Sequence, residues 1–306
     1  MIFFHKNYLM KMKGNFLAAI IFLFFISCEK VIPIDANFLK SKLVINSIFF
    51  KDSSCTVHIS SSTSILDKIT FENIEDADLS VKDTNGNLIE NLQYLSNGFY
   101  KGSEKLQADN QYYLNAVHKN FNNVLATTSI PKNISIHHID TLSYLKNGKE
   151  RIKISVSFVD DGNINNYYKL GVKMGEYVVD TLSQNGNTII DSAIIYKWVK
   201  IYRDHEVLER TITNKEVIFN DNTFNGTTFS VNFSIKNFIR DSSINLSFLK
   251  LYFYNIDNSL YNYEKSIKQY FDNYDIPFTQ PVQVFSNIEN GFGVLGSANV
   301  NTVKLY

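Results

Sequence analysis

Two acidic loops, Asp160-Asp161-Gly162-Asn163 and Asn220-Asp221-Asn222, gather carboxylates at a spacing that could serve acid–base chemistry or cation binding. Carboxyl groups in unlike environments can divide the roles of general acid and general base. Neither loop has the alternating oxygen ligands of a calcium site, and Asp, Asn and Gly are also what tight turns demand. Tyr167-Tyr168 follow the first loop, and Tyr261, Tyr263, Tyr270 and Tyr274 form a second set. A phenol ring beside carboxamides suits sugars or peptides, because the ring offers an apolar face and the hydroxyl a polar tip. Tyr261, Tyr167, Tyr168, Asp160, Asp161 and Asp221 are therefore the candidate binding residues, with core or edge packing as the competing use of each ring.

Other reactive residue types do not form a site. His137 and His138 are adjacent in a strand-like run, so they point to opposite faces and cannot share an ion. His205-Glu206 continues Val207-Leu208-Glu209, which is not HExxH, and neither GxSxG nor GxxxxGK[ST] occurs. No catalytic residue, metal or cofactor is expected. Gly291, Gly293 and Gly296 are spaced GxGxxG, but a dinucleotide fingerprint needs a following helix and an acidic residue about 20 positions on. Here ten residues follow Gly296, they alternate as a strand and none is acidic. The glycines are expected to serve backbone turns between the last strands. Cys55 alternates with Val57 and Ile59 in a strand pattern, which predicts a buried, inert thiol.

The elements that must position these residues read as β structure. The chain has 24 Phe and 18 Tyr, many of them in alternating runs with Val and Ile, which favours strands. About seven short strands between Lys42 and Ile130, with Asn85-Gly86 and Asn97-Gly98 turns, predict an immunoglobulin-like or transthyretin-like sandwich over residues 42–130. Pro131 falls between strand-like runs and marks a boundary between separately folded units. Residues 131–306 carry longer strands with Asn147-Gly148, Asn185-Gly186 and Asn225-Gly226 turns, and read as a larger antiparallel β domain with one C-terminal amphipathic helix, 258–274. Leu260, Tyr263, Ile267, Tyr270, Phe271 and Tyr274 make its apolar stripe, Glu264 and Lys268 an i,i+4 pair, and Asp257, Asn258 or Ser259 its cap. The helix is expected to cover an edge or mouth of the β domain, with Tyr261 at the exposed border of the stripe.

Residues 1–27 read as a targeting segment, with His5, Lys6, Lys11 and Lys13 ahead of the apolar run Phe16–Ile26. Eleven residues span only about 16 Å as a helix, too short for a bilayer core. The run ends in Phe25-Ile26-Ser27-Cys28, which resembles a bacterial lipobox whose cysteine is acylated, so residues 28–41, with Pro33, are expected to be a lipidated tether. Glu29 after that cysteine is not the aspartate associated with inner-membrane retention, which points to the outer membrane. Without residues 1–27 the chain has 27 basic and 30 acidic residues, a balance that leaves no electrostatic footprint for nucleic acid.

An Asp-Asn loop, an aromatic helix, the block PVQVFSNIENGFGVLGS and the opening CEKVIPID together resemble the Bacteroidota lipoprotein family catalogued as domain of unknown function 4249. The family has no assigned activity. The resemblance implies an envelope lipoprotein beside a TonB-dependent outer-membrane barrel, and the acidic Glu29 and Asp35 near the anchor resemble surface-export signals, which points to the cell surface rather than the periplasmic face. The expected function is non-enzymatic binding in nutrient capture or uptake. The competing readings are an envelope hydrolase of glycans or peptides, using Asp160, Asp161 or Asp221, and a structural adhesin.

Overall fold

The computed structural model describes residues 41–63, 72–184, 187–277 and 279–306. Cys28, the segment before it and the tether lie outside the described residues, as does the Asn185-Gly186 turn. The chain is mainly β, and among the described residues the strands form three sheets. The large sheet runs, in order, β14 (Glu209–Arg210), β15 (Glu216–Asn220), β11 (Tyr167–Gln184), β17 (Leu246–Ile256), β19 (Phe292–Lys304), β1 (Leu43–Phe50), β2 (Thr56–Ser61), β6 (Phe99–Lys101) and β5 (Gln93–Ser96), with β12 (Asn187–Trp198) paired to β11. A second sheet orders β18 (Ile288–Glu289), β8 (Val124–Ser129), β7 (Gln111–Val117), β3 (Asp78–Lys82) and β4 (Leu88–Asn91). The third holds β13 (Tyr202–Arg203), β16 (Thr228–Lys236), β10 (Lys149–Val159) and β9 (Ser135–Lys146).

Both small sheets pack on one face of the large one. Leu43, Ile45, Val57 and Ile59 alternate inward and meet Leu79, Val81, Leu114 and Val124 of the second sheet in a first core. Leu170, Phe219, Leu251 and Phe253 meet Ile154, Val156, Phe158 and Phe233 of the third sheet in a second. Phe158 lies at its centre, with the rings of Tyr168 and Phe253 at 4.9 and 5.0 Å. The opposite face of the large sheet carries the helix α1 (Asn258–Asn273), where Leu260 and Tyr261 bury against Ile218, Ile256 and Ala298. The helix thus covers a face and not an edge or mouth, because Ile218 and Ile256 point away from the second core and need apolar cover.

Pro131 separates the two cores, yet the expected boundary between separately folded units does not hold. Residues 41–306 form one compact unit, and β1 pairs in parallel with β19, so the first and last strands join the halves into a single sheet. The connecting segment is bonded along its length to that sheet. Asn299 Nδ2 donates to the Pro131 carbonyl (3.1 Å), Asn255 Nδ2 to Lys132 (3.1 Å), Asn301 Nδ2 to Ile134 (2.6 Å) and Ser297 Oγ to Ser129 (2.6 Å). These polar side chains occupy inward positions of β17 and β19, where a crossing backbone and not a core needs partners.

The glycine-rich block serves the same junction. A Cβ on Gly293, whose φ is +100°, would stand 2.0 Å from the Ile45 carbonyl oxygen, and one on Gly291 would meet the Leu43 carbonyl at 2.8 Å. Gly296 lies under Leu260 of α1. Close approach between backbones, more than turning, is what these positions require. Asn97-Gly98 and Asn147-Gly148 have positive φ at both residues, as hairpin turns require, whereas Asn225-Gly226 joins β15 to β16 of another sheet and closes no hairpin. Cys55 is buried against Glu90, and burial, reinforced by that carboxylate, pushes its thiol up to about 12.

Candidate functional site

Where the two cores meet, a cleft of about 540 Å³ opens between the connecting segment, the loop before β11 and the start of α1. It is lined by Asp109, Asn110, Gln111, Lys132, Asn165, Asn166, Tyr167, Asn255, Asp257 and Asn258, among others. Five of these are asparagines and one is a glutamine. Some are structural: Asn255 holds the connecting segment, and Asn166 Nδ2 donates to the Asp161 and Ile164 carbonyls at 2.8 and 2.9 Å. Asn258 accepts from Asn262 with its oxygen, which leaves its NH2 group toward solvent.

The six residues singled out in the sequence converge on this region but divide in role. Tyr167 lines the cleft, and its ring packs 4.9 Å from that of Tyr261. Asp161 stands at the rim, 4.0 Å from Lys132 Nζ, and hydrogen bonds from the Asn163 backbone and side chain hold its carboxyl below the usual range. Tyr168, Asp160 and Asp221 do not reach the surface. The Tyr168 hydroxyl donates to Asp160 Oδ1 (2.5 Å), Gly226 N donates to Asp160 Oδ2 (2.7 Å), and Asn166 N donates to Asp221 Oδ2 (2.7 Å). Burial and the Asp160 contact raise the Tyr168 hydroxyl well above its ordinary value. Asp160 and Asp221 thus lock the loop that presents Tyr167, and do not face a substrate; a buried carboxylate persists only where such donors satisfy it.

Tyr261 corrects the expected exposed border. It is 4% exposed, whereas Phe271 and Tyr274, assigned to the buried stripe, are 57% and 68% exposed. The Tyr261 hydroxyl donates to Glu209 Oε1 (3.1 Å) and accepts from Asn220 Nδ2 (3.3 Å). The end of the helix extends past the sheet, so the stripe loses its cover. Glu264 pairs with Lys169 of β11 (2.7 Å) rather than with Lys268, which binds Asp272. Lys169 also meets Glu216 at 3.2 Å; burial opposes its charge, but the two carboxylates outweigh that and raise it above its usual value. Burial pushes the Glu216 carboxyl up despite this lysine.

Tyr261→Phe should therefore cost about 1–2 kcal/mol, because it leaves Glu209 and Asn220 without the hydroxyl. Phe271→Ala should stay within about 0.5 kcal/mol. Thermal unfolding of both variants checks the order, and a larger loss for Phe271→Ala would restore the stripe as the packing face.

Among the described residues no group of three or more His, Cys, Asp or Glu is placed to hold a metal ion, and no helix is long and apolar enough to cross a membrane. The cleft residues Asn110, Asn165 and Lys132 escaped the sequence reading, since isolated polar residues at turns carry no signal of their own. A family model described as "Domain of unknown function (DUF4249)" matches residues 29–304. A comparison with curated proteins gives no match.

Proposed function

The chain belongs to the DUF4249 family, and from that premise we propose that it is a lipid-anchored outer-membrane protein that works by binding, as an accessory component beside a TonB-dependent transporter in nutrient capture or uptake. The observation that carries the binding role is the cleft at the joint of the two cores. Its walls are held by the bonded connecting segment and the Asp160–Tyr168 loop, so the site is built before a ligand arrives.

Anchoring makes a large, direct prediction. Each buried methylene contributes about 0.8 kcal/mol, so two or three acyl chains on Cys28 hold a protein at a membrane effectively permanently. Cells labelled with radioactive palmitate should mark the native chain and not Cys28→Ala, which should leave the membrane fraction. Label on that variant, or its continued sedimentation with membranes, overturns the anchor. Affinity purification of the native chain should retrieve an outer-membrane barrel, and turnover of glycans or peptides by the pure protein would favour a hydrolase instead.

A further inference from the structure

Resting on the binding role above, we propose that the cleft takes a neutral oligosaccharide, stacked on Tyr167 and hydrogen-bonded by the carboxamides of Asn110, Asn165 and Asn258. The charges of the cleft argue first. Lys132 is shared between Asp109 at 3.9 Å and Asp161 at 4.0 Å, so it has no surplus charge for an anion. Both oxygens of Asp257 are taken, Oδ1 by Leu260 N (2.9 Å) and Ser297 N (3.0 Å) and Oδ2 by Thr128 Oγ1 (2.9 Å). Around the cleft three carboxylates, Asp109, Asp161 and Asp257, therefore face one ammonium, an excess of two. An anionic ligand would meet repulsion, and a cationic one would have to compete with Lys132 for Asp109 and Asp161.

What the cleft does offer is carboxamide. Among the described residues the side chains of Asn110 and Asn165 have no partner within the protein, and both are exposed beside the cleft, as is the NH2 group of Asn258. A carboxamide presents an acceptor and two donors side by side, which matches the neighbouring hydroxyls of a sugar, each both donor and acceptor. An aliphatic or aromatic ligand would leave these groups desolvated and unpaired. Tyr167 supplies the complementary surface. Its half-buried ring is fixed by Tyr261 behind it, so little rotamer freedom is lost when the apolar face of a pyranose settles on it. A cleft of this volume holds a few sugar units.

The test uses the full chain purified in detergent micelles, on an array of neutral hexasaccharides (α-1,4- and β-1,4-glucan, β-1,3-glucan, β-1,4-xylan, mannan) beside oligogalacturonate and uncharged hexapeptides. At least one neutral hexasaccharide should bind, with affinity about tenfold lower in both Tyr167→Ala and Asn165→Ala. The Asn165 side chain is exposed and, among the described residues, has no hydrogen-bond partner, so that variant should stay folded and reads the site directly. Preferential capture of oligogalacturonate or peptide, binding unchanged in both variants, or no neutral glycan bound overturns the assignment. Loss of the barrel or of palmitate labelling, with glycan binding intact, would instead strike only the accessory role.

Discussion

Asp257→Ala should destabilise the protein by about 3–5 kcal/mol, whereas Asp257→Asn should cost less than about 1 kcal/mol. Asp257 is the N-cap of α1, and its Oδ1 also accepts from Ser297 N of β19 while Oδ2 accepts from Thr128 Oγ1 of β8. One carboxylate thus ties the helix, the large sheet and the second sheet together. Losing the cap costs about 1 kcal/mol, and each buried donor left without an acceptor adds about 1–3 kcal/mol. Ser297 and Thr128 are both buried, so water does not replace the lost partner. Asparagine keeps the oxygen that serves the two backbone N–H groups, and its NH2 can donate to a Thr128 hydroxyl that has turned round.

The same residue gives a pH signature. Burial, only partly offset by the bonds from Leu260 and Ser297, raises the Asp257 carboxyl above its ordinary value. The folded state then holds this proton more tightly than the unfolded state does. Its contribution is fully present below the ordinary carboxylate pKa and is lost as pH rises through the folded value. The stability of the native chain relative to Asp257→Asn should accordingly fall as pH climbs through that window. Urea unfolding of the three proteins across acid pH measures both effects. A difference that rises with pH would show the hydrogen bonds to outweigh burial.

Gly293→Ala should cost at least about 3 kcal/mol. A φ of +100° is a conformation that L residues rarely adopt, at about 1–3 kcal/mol, and the added Cβ would stand 2.0 Å from a backbone oxygen of the paired strand. No side-chain rotation relieves that contact, so β1 and β19 must part, and with them the two halves of the sheet. Gly148→Ala separates the two causes, because its φ is +71° and nothing lies within 4 Å of the new Cβ. It should lose only the conformational part, about 1–2 kcal/mol. Equal unfolding midpoints for the two variants would show that the close approach at Ile45 contributes nothing.

Much of the local structure was legible because it depends on neighbours in sequence. Period-two alternation marked β1, β7 and β10, the Asn97-Gly98 and Asn147-Gly148 pairs marked the β5–β6 and β9–β10 turns, and Asp257 ahead of an i, i+3, i+4 pattern marked α1. The inert Cys55 followed from the same alternation. Alternation says that two faces differ, but not what each face meets. The periodicity of α1 alone places Tyr261 at an exposed border; its burial is decided by Tyr167, Glu209 and Asn220, from three strands distant in sequence. Asp160 and Asp221 looked like chemistry for want of their donors, Tyr168, Gly226 and Asn166.

The sequence by itself determined a β-rich chain with a late amphipathic helix, several of its turns and the family. Only the tertiary structure decided that β1 and β19 pair, that Pro131 divides cores and not folding units, and that a carboxamide-lined cleft forms at their joint. The reason is the range of the forces involved. Propensity and periodicity act within about ten residues, whereas the cleft is assembled from segments near positions 110, 131, 165 and 256, and a pattern local to each contains no record of the others.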